Sequence, residues 1–449
     1  MTVLFRLGAP WVLLLAACGS HDSRPPPVPP ASPASASVSK AAPTRTPPAQ
    51  KSSFYADTFS KRPTVPEMTR LGRSLFFDRS LSASGQLACS TCHDPKYAYG
   101  PPPKGVMVQV NGKSVPLPTA RAIPSLKYLQ NVPPFAEHHF DEAVDESVDQ
   151  GPTGGHMWDG RADALHDQAQ LPLFSPEEMA NSSPAAIVAK VRTGAQAACM
   201  KSTFGDDVFD DDEKAFKAVL KALEVFQQDP REFYPYDSKY DGWLRRKAQL
   251  SQAEIRGLKW FNDPQAGNCA SCHPSQIRND GAFPQFTDFG LIALGVPRNS
   301  ALPANKDAAY FDMGLCGPIR TDLKGKGEYC GLFKAPSLRN VRLRHSFFHN
   351  GIYHDLRQVI DFYVERDSHP EKFYPQGRKF DDLPAQYHAN INTESPFGAD
   401  SAGHGPLSKL QFEDVMAFLA ALTDGYRDAN NPQPQAPDPG ALQPLANGC

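Results

Sequence analysis

Apolar side chains recur at three- and four-residue spacing over Glu213–Gln227, His354–Glu365 and Lys409–Leu422. That spacing gathers them on one face of an α-helix. A further helix is predicted where Ser251-Gln252-Ala253-Glu254 presents a Ser-x-x-Glu capping box before a run to Trp260-Phe261, because the serine and glutamate satisfy the unpaired N–H groups of a first turn. The run Leu71-Gly72-Arg73-Ser74-Leu75-Phe76-Phe77-Asp78 reads in the same way. No convincing set of alternating positions marks strands, so the expected class is all-α with long loops.

One apolar run has a different meaning. Trp11-Val12-Leu13-Leu14-Leu15 follows Arg6 and leads into Ala16-Ala17-Cys18-Gly19. It is too short to cross a bilayer, which takes about 20 apolar residues, and reads as an export signal over residues 1–17. Leu15-Ala16-Ala17-Cys18 resembles a lipobox, which makes Cys18 the expected lipidation site; an ordinary cleavage site or a chance apolar start are the alternatives. Residues 24–50 hold nine prolines among Ala, Ser and Thr. Such a segment buries no core and stays extended, so 18–52 reads as a tether. Residues 428–449, again rich in Pro and Gln, read as a disordered tail.

Composition narrows the class. The chain has 449 residues, 40% hydrophobic and 21% charged, with a mean hydropathy of -0.45, which excludes a polytopic membrane protein and a highly charged disordered chain. Length suggests two folding units. The net charge of -3 carries no electrostatic footprint for nucleic acid. The nine cysteines cannot all pair with one another.

Four of them fall into Cys89-Ser90-Thr91-Cys92-His93 and Cys269-Ala270-Ser271-Cys272-His273. Two thiols one helical turn apart can form thioethers with the two vinyl groups of one porphyrin, and the adjacent histidine reaches the iron. A thioredoxin-like pair or half a zinc site would not require the histidine. Two complete copies in an exported chain point to two covalently bound c-type haems, one in each of two cytochrome c-like domains, 53–238 and 239–427.

The stretch from Leu71-Gly72-Arg73 to His93, the tetrad Trp158-Asp159-Gly160-Arg161, and Ala335-Pro336-Ser337-Leu338-Arg339-Asn340-Val341 with His349-Asn350-Gly351 together resemble the bacterial dihaem cytochrome c peroxidases, including the MauG branch. The resemblance implies that hydrogen peroxide reacts at the N-terminal haem, held by Cys89, Cys92 and His93, and that Gln168, Pro172 and Glu178 build its distal pocket. Cleaving peroxide needs a group that takes a proton from one oxygen and returns it to the other, which one carboxylate in a dry pocket can do. Glu178 is the candidate; Glu177 is its rival, and both could simply start a helix after Ser175-Pro176. Trp158 is implied as the charge relay between the haems.

Two positions set the branch. Where simple family members carry a removable distal histidine this chain has Ser114, leaving His138, His139 and His156 as the only nearby replacements. Fourteen residues after His349 comes Tyr363, where ordinary members place a Met ligand to the second iron and MauG-like enzymes a Tyr. Phenolate favours oxidised iron, so Tyr363 with His273 would suit the C-terminal haem, attached at Cys269 and Cys272, to storing an oxidising equivalent. Tyr363 also shares a helical face with Leu356, Val359 and Ile360 and could be plain core; Met313 and His345 are the spare ligands. The family's bridging calcium is not assumed, because its Asn position reads Ala122 and its Thr-x-Pro segment reads Arg344-His345-Ser346.

Cys316 and Cys330, 14 apart in an oxidising compartment, are expected to form a disulfide. Cys199 and Cys449 are left over, as a pair or as free thiols. The resulting expectation is a periplasmic, lipid-anchored dihaem peroxidase supplied by a small electron-donor protein. One alternative is a MauG-like enzyme that oxidises Trp or Tyr of a partner protein; the other, from a different class, is a non-enzymatic dihaem electron carrier.

Overall fold

Thr64 caps the first helix, α1 (Val65–Phe76). Its hydroxyl accepts from the Glu67 amide at 3.4 Å while its own amide donates to the Glu67 carboxylate at 2.9 Å, closing the four-residue box that satisfies orphan donors. The buried face of α1 carries Leu71, Leu75 and Phe76. It crosses α6 (Asp212–Gln227) at Gly72, where a Cβ would stand 1.8 Å from the Ala222 carbonyl oxygen and 2.8 Å from the Phe226 Cβ. Only glycine permits this approach. Phe76 and Phe226 close the crossing edge to face, 5.4 Å between centroids.

The same device recurs in the second half. Ser251 and Glu254 form the expected capping box on α9 (Gln252–Asn262), and Ser408 with Gln411 forms one on α11 (Lys409–Ala420). These helices cross at Gly257, whose Cβ would stand 1.9 Å from the Asp414 carbonyl oxygen and 2.8 Å from the Phe418 Cβ. Phe261 meets Phe418 at 5.2 Å. Arg256 grips Asp414 through two bonds of 2.8 and 2.7 Å beside the crossing.

The computed structural model describes residue 54 and residues 59–110, 113–117, 119–141, 149–374, 377–398 and 406–427. Between the crossings the chain is mostly helical: α2 (Cys89–Cys92), α3 (Leu165–Phe174), α4 (Pro184–Thr193), α5 (Ala197–Phe204), α7 (Pro230–Phe233) and α8 (Lys239–Leu244), with α10 (Leu356–Glu365) before α11. The all-α expectation needs one correction. β1 (Met107–Val110) pairs antiparallel with β2 (Lys113–Pro116), and β3 (Leu291–Ile292) with β4 (Phe333–Lys334). At two to four residues each, these strands are too short to leave a period-two signature.

Two main cores fill the molecule. One draws on buried residues from Leu71 to Phe233, the other on residues from Tyr240 to Leu422, while the chain from Phe54 onward clusters as one unit. Arg339 and Asp241 form a doubly bonded pair at 2.8 Å with both side chains fully buried, and the guanidinium stacks on Tyr128 at 4.7 Å and Tyr236 at 4.6 Å. This ties the 335–341 segment to α8 and to the first half of the chain. Cys316 and Cys330 are joined, with Cα atoms 5.0 Å apart, and Cys199 is buried and disulfide-bonded, so it is not a free thiol. Among the described residues no helix is long and apolar enough to cross a membrane. The signal, Cys18, the tether, the tail and Cys449 lie outside the described residues.

Candidate functional site: two cavities joined by a tryptophan

Each Cys-x-x-Cys-His turn opens onto its own cavity. At the first, the Ala88 amide donates to the Thr91 hydroxyl at 2.9 Å and the His93 amide to the Cys89 carbonyl at 2.8 Å, so both thiols project from one short turn. The His93 Nδ1 lies 3.0 Å from the Tyr99 carbonyl oxygen. Donating there fixes the tautomer and leaves Nε2 with a bare lone pair, the arrangement of an oriented metal-ligating imidazole. Burial holds His93 neutral, pushing its pKa down to about 4.

Gln168 and Pro172 on α3, Glu178 in the turn after it, and Trp158 all line the cavity that holds Cys89, Cys92 and His93. Burial raises the Glu178 carboxyl; Arg161 opposes the shift and Glu177 adds to it. Glu178 follows a turn closed by its amide on the Ser175 carbonyl at 3.0 Å, so neither glutamate begins a helix. Glu177 also lines the cavity but is exposed. Arg161 is held by the fully buried Asp159 at 2.8 Å, and Asp159 is held in turn by Arg121 at 2.6 Å. Ser114, on β2, is not among the lining residues. His138 is exposed and paired with Asp149 at 2.6 Å, and neither His139 nor His156 lines this cavity.

The second turn repeats the first. The His273 amide donates to the Cys269 carbonyl at 2.9 Å, and Nδ1 lies 2.8 Å from the Phe286 carbonyl oxygen. Burial again pushes the histidine down to about 4. The cavity beside it is walled by Leu356, Val359, Ile360 and Tyr363 from α10. Of the three sequence candidates for a second iron ligand, only Tyr363 lines it. Met313 packs with Ala293, Leu383 and Ile391, and the ring of His345 faces Tyr97 at 5.6 Å. Burial is the main cause holding the Tyr363 phenol well above its ordinary range.

The empty space is about 1830 Å³ at the first turn and about 1530 Å³ at the second, open solvent at the mouths included. Both fit c-type haem chemically. The four thiols line the cavities half-buried, and desolvation holds them protonated, with Cys89, Cys92 and Cys269 raised to about 12 and Cys272 to about 11. The second cavity also carries two cations that sequence reasoning missed. Arg344 is buried, lowered to about 10 by desolvation, and donates only to the Ser337 carbonyl at 3.2 Å. Lys334 is lowered to about 7 by burial and donates to the Gly155 carbonyl at 2.5 Å. Among the described residues neither forms an ion pair with a carboxylate, so both suit the carboxylates of a porphyrin. An Arg in the Arg344-His345-Ser346 segment was the available signal.

Trp158 belongs to both cavities. Its indole N–H donates to the Ala122 carbonyl at 2.7 Å, and its own carbonyl accepts from the Lys334 amide at 2.8 Å. The loop carrying it doubles back so closely that a Cβ on Gly155, at φ +66°, would stand 2.0 Å from the Gly160 carbonyl oxygen. Ala122 donates in turn to the His349 carbonyl at 2.7 Å. Among the described residues no group of three His, Cys, Asp or Glu could hold a further metal ion.

Residues 66–249 match the family model of the di-haem cytochrome c peroxidases. The methylamine utilization protein MauG of Paracoccus denitrificans (strain Pd 1222) is 32% identical over 381 residues, covering 81% of this chain and 90% of its own. The cytochrome c551 peroxidase of Pseudomonas aeruginosa is 27% identical over 310 residues, covering 67% and 72%. Among solved structures, the diheme peroxidase BthA of Burkholderia thailandensis E264 superposes with a TM-score of 0.70 at 33% identity, covering 82% of this chain and 92% of that one.

Proposed function

Because the chain belongs to the di-haem cytochrome c peroxidase and MauG family, an oxidoreductase family whose cofactors are two c-type haems, we propose that it reduces hydrogen peroxide at the His93 site and passes the oxidising equivalents towards the Tyr363 site. The observation that carries this reading is the gathering of Glu178, Gln168 and Pro172 in the cavity of His93. When bound, the haems supply iron that takes the peroxide and accepts its oxidising equivalents.

The chain's own part is to hold ligands and move protons. Cys89 and Cys92, and Cys269 and Cys272, would carry the two porphyrins, His93 and His273 would hold the irons through Nε2, and Arg344 and Lys334 would pair with the carboxylates of the second. Glu178, ionised, takes the proton from the peroxide oxygen that stays and returns it to the oxygen that leaves as water. Burial gives its carboxyl a raised pKa, closer to working pH and so better matched to both halves of that transfer. Arg161, fixed by Asp159, keeps positive charge beside it. Trp158 lines both cavities and would carry charge between them; Tyr363, once deprotonated, would hold the second iron through its phenolic oxygen.

Reducing equivalents come from a small electron-donor protein or from oxidisable residues of a protein substrate. The Tyr363 position favours the second source as a second reading. The remaining organisation belongs to the same proposal: a signal over 1–17, Cys18 lipidated, a tether over 18–52 holding the body off a membrane in the periplasm, and haem domains over 53–238 and 239–427.

The experiment is electron paramagnetic resonance of the untreated ferric protein. A high-spin signal that disappears with stoichiometric peroxide is expected. Two low-spin signals indifferent to peroxide would instead identify a non-enzymatic electron carrier.

A further inference from the structure

Among the described residues Trp243 is the most exposed tryptophan that the peroxide chemistry above leaves unused, with 36% of its area exposed. It lies in the last turn of α8, and its ring stacks on Tyr240 one turn earlier, 5.4 Å between centroids and 26° between planes. Tyr240 is buried and meets Phe286 edge to face at 5.5 Å. Phe286 is fully buried, and its carbonyl holds the Nδ1 of His273 at 2.8 Å. Three rings therefore run from solvent to Phe286, whose carbonyl holds His273 at the second cavity.

We propose that Trp243 is the surface terminus of a one-electron relay, running through Tyr240 and Phe286 to His273, at which a protein with an acidic surface delivers electrons. This rests on the reading of His273 as haem ligand in a peroxidase. Hydrogen peroxide takes two electrons and two protons and becomes two waters; each electron so withdrawn can be drawn in turn from the indole of Trp243. The indole, left one electron short, releases its Nε1 proton to water and regains an electron from the partner and a proton from solvent. Tyr240 is a transit point: its hydroxyl donates to the Ser275 carbonyl at 2.8 Å, an acceptor that cannot keep the proton, so the vacancy passes on to the exposed ring.

The rim gives the partner's sign. Arg245, Arg246 and Lys247 follow Trp243 after Leu244 and are exposed. Arg245 is occupied, donating to the Tyr236 carbonyl at 2.6 Å and lying over Phe283 at 4.5 Å. The loop is pinned by the Lys247 amide on the Gly242 carbonyl at 2.7 Å, which turns the backbone of this basic run back to the residue before Trp243. In a chain of net charge -3, a cationic rim around an exposed redox-active ring selects a partner presenting carboxylates.

The test uses the holoprotein treated with hydrogen peroxide in the absence of any donor, followed by peptide mass spectrometry. Oxygen-addition products are expected on Trp243, absent when cyanide blocks the haems, and several-fold fewer in Tyr240→Phe, which keeps the ring packed and loses only the phenol. Products on Trp243 that persist under cyanide, or that are unchanged in Tyr240→Phe, would overturn the relay. Absorbance recorded in the same samples separates the two failures: haem bands that respond to peroxide while Trp243 stays unmodified sink the relay alone, whereas bands that do not respond sink the peroxidase reading with it. With ferrocyanide as an anionic donor, Arg246→Glu with Lys247→Glu should lower kcat/KM several-fold; an unchanged value would remove the cationic rim from docking.

Discussion

The indole N–H of Trp158 donates to the carbonyl of Ala122 at 2.7 Å, inside a wall common to both cavities. Because Ala122 is itself bonded to the His349 carbonyl, the tryptophan is fixed from the segment that precedes it and, through Lys334, from β4. A ring so held suits charge transfer, since its position relative to both cavities cannot drift.

Trp158→Phe keeps an aromatic ring and leaves the Ala122 carbonyl unsatisfied, which should cost about 1–3 kcal/mol of stability. The sharper expectation is functional. In stopped-flow absorbance the His93 haem should still respond to peroxide, while the response of the His273 haem slows or disappears. Simultaneous, unchanged responses of both haems would remove Trp158 from the path.

Glu178→Gln keeps shape and removes the proton carrier, so kcat/KM for peroxide should fall by roughly 10²–10⁴. Glu177→Gln, whose side chain is exposed, should stay within a few-fold of the parent. The wild-type rate should fall as pH drops through the raised Glu178 pKa, because the ionised form is the base, and this limb should vanish in Glu178→Gln.

The same carboxyl makes a stability prediction. Burial raises its folded pKa, so the folded state favours the protonated form. Its protonation therefore supports stability fully below the ordinary glutamate range. That contribution is lost as pH rises through the folded pKa, after which stability levels. Denaturant titrations of the parent minus Glu178→Gln across pH 4 to 8, about the window where shifted carboxyls titrate, should show a difference of this sign; a flat difference would place Glu178 in water.

Tyr363→Phe should convert the second haem from its resting ligation to an open or water-bound one, visible as a new high-spin resonance. Tyr363→Met should raise its midpoint potential, since thioether favours ferrous iron. An unchanged resonance in Tyr363→Phe would return this residue to the core face it shares with Leu356, Val359 and Ile360.

Much of this was legible before folding. The capping boxes at Ser251 and the three- and four-residue spacings of α6, α10 and α11 mark helices because one residue type at one offset satisfies a local requirement. The Cys-x-x-Cys-His copies are legible for the same reason. Gln168, Pro172 and Glu178 were found by resemblance alone, since nothing in their spacing states that α3 and its turn face the Cys89 turn. Arg344 and Lys334 were missed because their significance, two basic groups on one cavity wall with no ion pair to a carboxylate among the described residues, exists only after folding. The strands β3 and β4 were missed because two residues have no period. The contact of Trp243 with Tyr240 is a helical-turn neighbour, while the link onward to Phe286 is made only by folding.

Gly72→Ala and Gly257→Ala should each cost more than about 2 kcal/mol, at the upper end of overpacking penalties, because the new methyl meets backbone and cannot be accommodated by a rotamer change. Chemical denaturation would check this, and a loss under about 0.5 kcal/mol would mean the helices separate freely.

That shared glycine crossing has a wider consequence. In each half a glycine lies against a carbonyl four residues before a phenylalanine, and another phenylalanine four residues after the glycine meets it. The halves are two editions of one scaffold, printed in tandem. What distinguishes them is inserted between the repeated helices: a carboxylate from the turn after α3 in one, a phenol from α10 in the other. The frame, held by backbone contact, leaves no room for a side chain at either glycine, so the chemical differences between the two cavities reside in the segments between the repeated helices.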